Sequence, residues 1–386
     1  MKYNLVGSSG VIFTHSYGLG LKLKDSLGGY IDSGVGDTIY PSYLDDVECI
    51  KLYSVKNNKI KRLIKKTFKF FGFDRISLVI KYLNDRDGKI SPETCEKIAN
   101  FKNRESCNNF LFVWSTTIKK EKKIIDKVYS GVECKSVLVV NTYPVRGNSL
   151  YKDDDSKLFE NDIDFFNGFD KIIVTSEIMK SYFISNGLAI ESNLHVSPDF
   201  LPGSCYVKRN KLFDKIERLN KKKLIYLGNT NFSERSIDDT SLLLMELANR
   251  GFEIWIQKND DKVRHRNIHL FEPFTMEGIL TGKLGDFVSD FDAALVVYNN
   301  VNNARTNMGF PTRYALALTG HVPILLKSRV FLALEEKFAD MNILYDEVNE
   351  IEASLKSFSL PHNWINIYDQ NLKNYSDLIE VLIQED

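Results

Sequence analysis

The residues best suited to bind a charged ligand lie at positions 309–323, with the sequence GFPTRYALALTGHVP. The spacing predicts a loop containing Pro311, a short helix that begins at Thr312 and stops at Gly320, and a strand after it. The first N–H groups of a helix lack intrahelical partners and the helix dipole is positive there, so this end attracts anions. Arg313 adds a permanent, fork-shaped cation to the same turn. One interpretation is therefore a phosphate-binding turn, and the other is an ordinary helix start followed by an ordinary turn.

Strands and helices alternate through the rest of the chain. Short apolar runs predict strands, stretches of helical or irregular pattern separate them, and this alternation is typical of a parallel sheet covered by helices on both faces. Ligands bind at the carboxyl ends of the strands in such sheets, so the loops after the strands are candidate binding sites. The predicted strands cover residues 3–6, 47–53, 76–82, 110–114, 136–141, 171–175, 193–196, 222–227, 253–257, 291–298 and 324–326.

Composition narrows the class of protein. A chain of 386 residues, 43% hydrophobic and 26% charged, is typical of a soluble globular protein with two domains. The 51 basic and 51 acidic residues cancel, which argues against a nucleic acid partner. Five cysteines without a C-x-x-C pair favour reduced thiols in the cytoplasm over disulfides or a zinc site. No signal peptide or membrane span is recognisable, so we expect a cytoplasmic protein.

One segment is strongly basic. Between Lys51 and Lys69 the chain carries eight basic residues and no acidic one. Such a basic amphipathic helix can bind an anionic membrane, at about 1 kcal/mol for each Lys or Arg near the surface. The alternative is a surface helix whose apolar stripe packs on its own core. The apolar residues that recur at helical spacing are Ile60, Leu63, Ile64, Phe68 and Phe71.

An acidic run at residues 153–155 consists of three consecutive aspartates. Carboxylates are ligands for divalent cations, but consecutive positions on a loop do not converge on one ion without other groups. The polar surroundings, which include serine and lysine, favour a solvated loop. We therefore expect no metal site and no cofactor.

Two further stretches follow a recognisable order. Residues 171–198 predict a strand, a helix capped by Ser176, a glycine stop at Gly187, a short strand and an exit at Pro198. Residues 198–209 contain two prolines and a glycine, which predicts a linker.

From about residue 171 onward, this order resembles the GT-B glycosyltransferases, in particular the group 1-like proteins. In that family the second domain opens with a strand that ends in a glycine, as residues 222–228 do here. The family signature is a proline, a basic residue two positions later, a helix of small residues, a glycine and a proline, here Pro311, Arg313, Gly320 and Pro323. The resemblance is weaker over the first 150 residues.

The resemblance implies an α/β protein of the GT-B class, in which two Rossmann-like domains face each other across a cleft. Residues 1–203 would form the acceptor-binding domain and residues 204–362 the domain that binds a nucleotide-sugar donor. Residues 363–386 would form a C-terminal helix that returns to the first domain.

The resemblance also implies a donor site. Gly228 and Asn229 would approach the donor diphosphate through the backbone, and Arg235 would supply a second cation. Arg313 would act in catalysis, because it would neutralise the charge that develops on the leaving nucleoside diphosphate. Phe271 and Phe274 would flank the nucleobase, and Pro311 and Thr312 complete the set. Relatives of this kind usually need no metal.

One family feature is missing. Many retaining relatives carry a ribose-binding glutamate in the short helix, where residues 314–317 read Tyr-Ala-Leu-Ala. A base for an inverting reaction would lie in the first domain, where His15 is the leading candidate because a histidine titrates near neutral pH. His15 could equally be a helix-capping or core residue, and Asp37 and Asp46 are weaker candidates. Acceptor-side candidates, in loops after predicted strands, are Ser9, Gly10, Asn141 and Tyr143.

These expectations converge on a glycosyltransferase that transfers a sugar from a nucleotide-activated donor to a hydroxyl of a glycan or lipid-linked acceptor, as in cell-surface polysaccharide biosynthesis. The basic segment suggests a peripheral position at the inner membrane face. Two alternatives stay open. One is a nucleotide-sugar epimerase, for which we find no paired carboxylates, and the other is a binding protein of the same fold that has lost its chemistry.

Overall fold

The structure is a computed structural model, and it describes residues 3–7, 19, 22–23, 27–32, 49–51, 96, 98, 109–114, 118–143, 162–215, 222–228, 239–258, 263–297, 308–328, 330, 339–359, 361–373 and 380–382. The chain divides into two compact units. Residues 1–14 and 26–136 form the first unit, and residues 15–25 and 137–386 form the second. The expected domain boundary at residues 203 and 204 lies inside the second unit and stays a prediction.

The first unit contains a parallel sheet in the order β3-β2-β1-β4. β1 is the strand predicted at residues 3–6, and both it and β4 are largely buried, as expected for inner strands of a covered parallel sheet. The helix α1 packs Ile118 and Ile125 inward. The elements are β1 (Tyr3–Gly7), β2 (Leu27–Asp32), β3 (Cys49–Lys51), β4 (Asn109–Val113) and α1 (Ile118–Val128).

The second unit begins with three parallel strands in the order β5-β6-β7. The helix α2 starts where predicted, because the Ser176 Oγ accepts a hydrogen bond of 3.0 Å from the Met179 N–H. It ends at Ser185, just before the predicted stop at Gly187, which has the left-handed φ of 64° that closes many helices. The elements are β5 (Ser136–Val140), β6 (Lys171–Val174), α2 (Glu177–Ser185) and β7 (Leu194–Val196).

A six-stranded parallel sheet follows in the order β10-β9-β8-β11-β12-β13. The chain adds β9 and β10 on one side of β8 and then returns to add β11 to β13 on the other. The strands are β8 (Lys223–Tyr226), β9 (Glu253–Gln257), β10 (Ile268–Phe271), β11 (Ala293–Leu295), β12 (Ile324–Lys327) and β13 (Asn342–Tyr345). The helices of this part are α3 (Arg209–Lys215), α4 (Ser241–Asn249), α5 (Met276–Leu280), α6 (Lys283–Val288), α7 (Thr312–Thr319), α8 (Ile351–Ser357) and α9 (Trp364–Lys373).

Two hydrophobic clusters cover the two faces of this sheet. In β8, Ile225 packs into the cluster that contains α6, α7 and Tyr368, while Leu224 and Tyr226 pack into the cluster that contains α4. Side chains alternate between faces along a strand, so a sheet covered on both faces needs apolar residues at every position. The predicted doubly covered parallel sheet is confirmed here.

The segment that the sequence predicts as a linker is a buried part of this core. Phe200 and Val207 are fully buried. The Val207 N–H donates to the Thr319 carbonyl at 2.7 Å, and the Tyr368 hydroxyl donates to the Val207 carbonyl at 2.6 Å. These residues therefore hold α7 and α9 together.

The C-terminal residues approach the first predicted domain. The Lys171 Nζ, at the start of β6, donates to the Val381 carbonyl at 3.5 Å, and Leu382 is buried. β6 belongs to the region predicted as the first domain, so this contact agrees with the expected return of the chain, which stays a prediction together with the domain boundary.

Candidate functional site

The strand order of the six-stranded sheet locates a binding crevice. β8 and β11 are neighbours, and the chain continues away from them in opposite directions. Loops that leave the carboxyl ends of two such strands diverge and open a crevice, which is where open α/β sheets bind ligands. Here these carboxyl ends lead to Gly228 and Val297.

α7 begins at this crevice, as the sequence predicts. It follows Pro311, whose extended backbone (φ −77°, ψ 138°) ends the preceding loop. The Tyr314 N–H donates to the Pro311 carbonyl at 2.8 Å, so the helical ladder starts there. Thr312 is the first helical residue and is half-buried. The positive end of the helix dipole lies at this turn and favours a negatively charged group.

The Arg313 guanidinium contacts both strands at the crevice. Its Nη2 donates to the Val297 carbonyl at 3.0 Å, and its Nη1 donates to the Tyr226 hydroxyl at 3.3 Å. Its Cζ lies 5.9 Å from the centre of the Tyr226 ring, which adds a cation–π contact. The side chain is half-buried. A permanent cation is thereby held where β8 and β11 diverge.

Gly228 has no room for a side chain. A Cβ at this position would lie 2.3 Å from both the Cζ and the hydroxyl oxygen of Tyr226. The backbone approach of Gly228 to a donor diphosphate, which the family resemblance implies, stays a prediction. The structure adds a second reason for glycine, because the Tyr226 ring occupies the space that a side chain would need.

Residues 314–317 are part of the core. All four side chains are buried, and the Tyr314 hydroxyl donates to the Asn342 Oδ1 at 3.0 Å. A carboxylate at these positions would be desolvated among apolar side chains. α7 therefore offers no acidic side chain for a ribose, as the sequence indicates.

Comparison with known proteins supports this architecture. No protein-family model and no curated protein matches the sequence. Among solved structures, HepE from Anabaena, in complex with UDP and glucose, has a TM-score of 0.62 at 10% identity, and the match covers 100% of both chains. Sucrose-phosphate synthase from Thermosynechococcus elongatus has a TM-score of 0.57 at 11% identity, over 98% of this chain and 95% of its own. A glycosyltransferase from Rickettsia africae has a TM-score of 0.51 at 12% identity, over 100% of both chains.

The chain has the GT-B fold. At these identities the likeness concerns the fold alone. The order of the six-stranded sheet is that of a Rossmann-like domain. The candidate site lies at the switch point of this sheet, which is the position between β8 and β11 where the strand order reverses.

Phe271 and Phe274 lie at and just after the carboxyl end of β10, the edge strand of this GT-B domain. Their ring centres are 6.3 Å apart, and both pack against Phe287, at 5.1 and 5.4 Å. Both are half-buried against the core cluster of α6 and α7. Their role beside a nucleobase stays a prediction, since this packing alone accounts for two aromatic residues here.

Asn141 and Tyr143 follow β5. Asn141 is buried, and Tyr143 is 1% exposed. The Tyr143 hydroxyl donates to the Asp162 Oδ2 at 2.9 Å, and its ring packs edge-on against Phe166 and Phe183 at 5.6 and 5.1 Å. Tyr143 therefore packs in the core of this region, and its contact with an acceptor stays a prediction.

Several predicted site residues lie outside the described residues. They are Ser9, Gly10, His15, Asp37, Asp46, Asn229 and Arg235, together with residues 52–69 and 153–155. Lys51, the first residue of the basic segment, is the last residue of β3. Within the described ranges, no group of three or more His, Cys, Asp or Glu side chains could hold a metal ion. No helix in that same part of the chain is long and apolar enough to cross a membrane.

Asp199 is a buried carboxyl in the segment that follows β7. Burial raises its pKa to about 6, while Lys22 and a backbone hydrogen bond from Leu19 oppose that shift. The Lys22 Nζ donates to the neighbouring Pro198 carbonyl at 3.0 Å. Lys22 is 176 residues away in the chain, so no local pattern could have indicated this pairing.

Tyr226 and Thr240 are the other residues that sequence reasoning missed. The Thr240 Oγ1 donates to the Tyr226 hydroxyl at 3.3 Å, and Thr240 directly precedes α4. The apolar run that predicts β8 includes Tyr226 as a core residue. The sequence signal that could have indicated Tyr226 is a tyrosine two positions before Gly228.

Proposed function

We propose that this protein is a glycosyltransferase that transfers a sugar from a nucleotide-activated donor to a hydroxyl of a glycan or lipid-linked acceptor. The observation that carries the proposal is the Arg313 guanidinium, held at the switch point beside the N-terminus of α7. The anion that suits this site is a diphosphate. HepE, which shares the fold, is named in complexes with UDP and with UDP-glucose, and this supports a UDP-linked sugar as the first donor to test.

The reaction breaks the bond between the sugar C1 and the phosphate oxygen and forms a bond from C1 to the acceptor oxygen. The acceptor hydroxyl loses its proton, and the nucleoside diphosphate leaves with the bonding electron pair. Arg313 neutralises the charge that develops on this leaving group, so it stabilises the transition state more than the bound donor. The proposal uses Arg313 and the α7 N-terminus for this charge and requires no metal.

His15 is the proposed base for an inverting reaction, with Asp37 and Asp46 as alternatives. Ser9, Gly10, Asn141 and Tyr143 are proposed for the acceptor side. Asn229 and Arg235 would complete the diphosphate contacts, since they follow Gly228 in the chain.

The proposal places the enzyme in the cytoplasm at the inner membrane face. The support is the basic segment between Lys51 and Lys69. In a flotation experiment the full chain should rise with vesicles that contain anionic lipid and stay behind with neutral vesicles. A variant with Lys61, Arg62, Lys65 and Lys66 changed to glutamate should not float. Equal recovery of the two proteins would contradict membrane binding.

The donor site is tested by ligand-induced stabilisation. We expect UDP and at least one UDP-sugar to raise the Tm of the full chain, because a ligand that binds only the folded state stabilises it. Arg313→Ala should lose most of this shift. Arg250→Ala, which removes the same charge from an exposed ion pair with Glu246, should retain it. A wild-type protein whose Tm no nucleoside diphosphate or nucleotide sugar changes would contradict the proposal.

A second candidate is a nucleotide-sugar-binding protein without catalysis. The absence of an acidic residue in α7 favours it, because no described side chain of that helix replaces the usual ribose contact. Slow hydrolysis of a UDP-sugar in the absence of an acceptor, measured as UDP release, distinguishes a glycosyltransferase from a binding protein. The enzyme should release UDP, and Arg313→Ala should reduce the rate, whereas the binding protein should bind the sugar nucleotide and leave it intact.

A further inference from the structure

We infer that Tyr226 is a positioning residue for the proposed donor site, and that its hydroxyl holds the Arg313 guanidinium in the orientation that a donor diphosphate requires. This inference rests on the proposed function. Tyr226 lies in β8 and would act on the donor through Arg313, without contacting the donor itself.

The geometry ties three separate parts of the chain to one phenol oxygen. Arg313 Nη1 and Thr240 Oγ1 both donate to the Tyr226 hydroxyl, each at 3.3 Å. Tyr226 is 2% exposed, Thr240 is fully buried and Arg313 is half-buried, so the phenol oxygen is largely shielded from solvent. β8, the start of α4 and the start of α7 therefore share one hydrogen-bonded centre.

The Tyr226 hydroxyl fixes a second point of the guanidinium, in addition to the point that the Val297 carbonyl fixes. The Val297 carbonyl accepts from one guanidinium nitrogen, and a single bond of this kind lets the plane turn about it. The Tyr226 hydroxyl engages the second terminal nitrogen. An arginine side chain carries about 2 kcal/mol of rotamer entropy, and ordering it before the ligand arrives lowers the cost of binding.

Gly228 belongs to the same arrangement. A Cβ there would collide with the Tyr226 Cζ and hydroxyl oxygen, so any larger residue displaces the ring that orients Arg313. The glycine that follows β8 is thus matched to a tyrosine inside it. Tyr226 and Gly228 act on Arg313 as a pair.

The test is Tyr226→Phe, which keeps the ring and removes only the hydroxyl. UDP affinity, measured by calorimetry on the full chain, should fall about 3- to 10-fold, a part of the roughly 30-fold that complete ordering of an arginine side chain is worth. Tyr314→Phe is the matched control, since it removes a buried hydroxyl from the residue next to Arg313. The control should lose a similar amount of stability and keep UDP affinity within about 2-fold, because its lost bond is to Asn342 rather than to Arg313.

A double-mutant cycle separates positioning from general destabilisation. In an Arg313→Ala background, Tyr226→Phe should have no further effect on UDP affinity, because the group it positions is gone. Equal losses in the two backgrounds would overturn the inference, as would a Tyr226→Phe protein that binds UDP like wild type while Arg313→Ala does not. If Arg313→Ala itself binds UDP normally, the proposed donor site is wrong and the inference fails with it.

A measurement on the unmodified side chain keeps the inference testable if Tyr226→Phe does not fold. In the ligand-free protein, the Arg313 guanidinium should show slow rotation about its Cζ–Nε bond by NMR, with the signal assigned through Arg313→Lys. Because the two Nη atoms donate to different acceptors, slow rotation should give two resolved Nη signals. A single averaged signal would overturn the inference.

Discussion

The two ends of α7 differ in what their side chains do. At its start, residues 311–313 are half-buried and carry the cation that reaches Tyr226 and Val297. At its end, residues 314–321 are fully enclosed. An eight-residue helix is only about 12 Å long and rigid, so the enclosed end determines where the start lies. The buried end of α7 therefore holds the candidate site in place.

The far end is held by two unusual positions. Gly320 has an ordinary φ of −85° but no free space, because its Cβ would lie 2.4 Å from the Val288 Cγ1. His321 is left-handed, with a φ of 50°, and its ring lies 4.0 Å from the Trp364 ring. The His321 Nε2 lies within hydrogen-bond distance, 3.0 Å, of the Trp364 carbonyl. The glycine stops the helix as predicted, but the left-handed residue is the histidine after it.

The largest effect should come from Gly320→Ala. The new methyl group would press on the Val288 side chain and, at 2.9 Å, on the Ser289 backbone nitrogen, which cannot move without shifting the end of α6. We expect a loss of about 3 kcal/mol in the free energy of unfolding, measured in urea. Gly203→Ala is the control, because its Cβ would meet Leu372 at an ordinary 3.5 Å. Similar losses for the two variants would remove the steric distinction.

A pH titration measures the contribution of the buried carboxyl Asp199 to stability. Asp199 has a raised pKa of about 6, against 3.8 for an ordinary aspartate, so the folded state holds its proton more tightly. Its contribution to stability is present below pH 4 and is lost as pH rises through 6. The stability of Asp199→Asn relative to wild type should therefore rise by about 2 kcal/mol from pH 4 to pH 7. Parallel curves would contradict the assignment.

Arg313→Ala tests the opposite end. It should weaken UDP binding about 10- to 100-fold and lower the free energy of unfolding by about 1 to 2 kcal/mol, the net contribution of its hydrogen bonds to Tyr226 and Val297, which is less than the loss in Gly320→Ala. Calorimetry and urea unfolding on one preparation measure both quantities. If stability falls as far as in Gly320→Ala, the two ends of α7 do not differ in the way proposed.

The smallest effect concerns the backbone at His321. Both His321→Ala and His321→Gly lose the ring contact with Trp364, so they share that cost. Glycine tolerates a φ of 50° and alanine does not, so the glycine variant should be the more stable by about 1 kcal/mol. The usual order at an ordinary helix position is the reverse. A more stable alanine variant would show that His321 is not strained.

The sequence predicted the local elements well, since each depends on neighbours in the chain. The sequence pattern located β1, β3 to β9 and β11 to β12, and Ser176 and Gly187 marked the two ends of α2. Their order predicted the GT-B fold that the structural comparison supports. α7 and its arginine were also predicted, because proline, glycine and charge punctuate that segment.

The arrangement around the arginine was not predictable, since its members are far apart in sequence. Tyr226 and Arg313 are 87 residues apart, and only the pairing of β8 with β11 brings the carboxyl ends of those strands to the start of α7. The segment predicted as a linker is likewise buried because α7 and α9 close over it.

The sequence by itself determined the elements, their order and the residue that carries the charge, because periodicity, caps and turn residues act over a few positions. Only the tertiary structure decided what orients that charge. A hydroxyl in β8 and a carbonyl after β11 meet the guanidinium because parallel strands bring their carboxyl ends to one edge of the sheet.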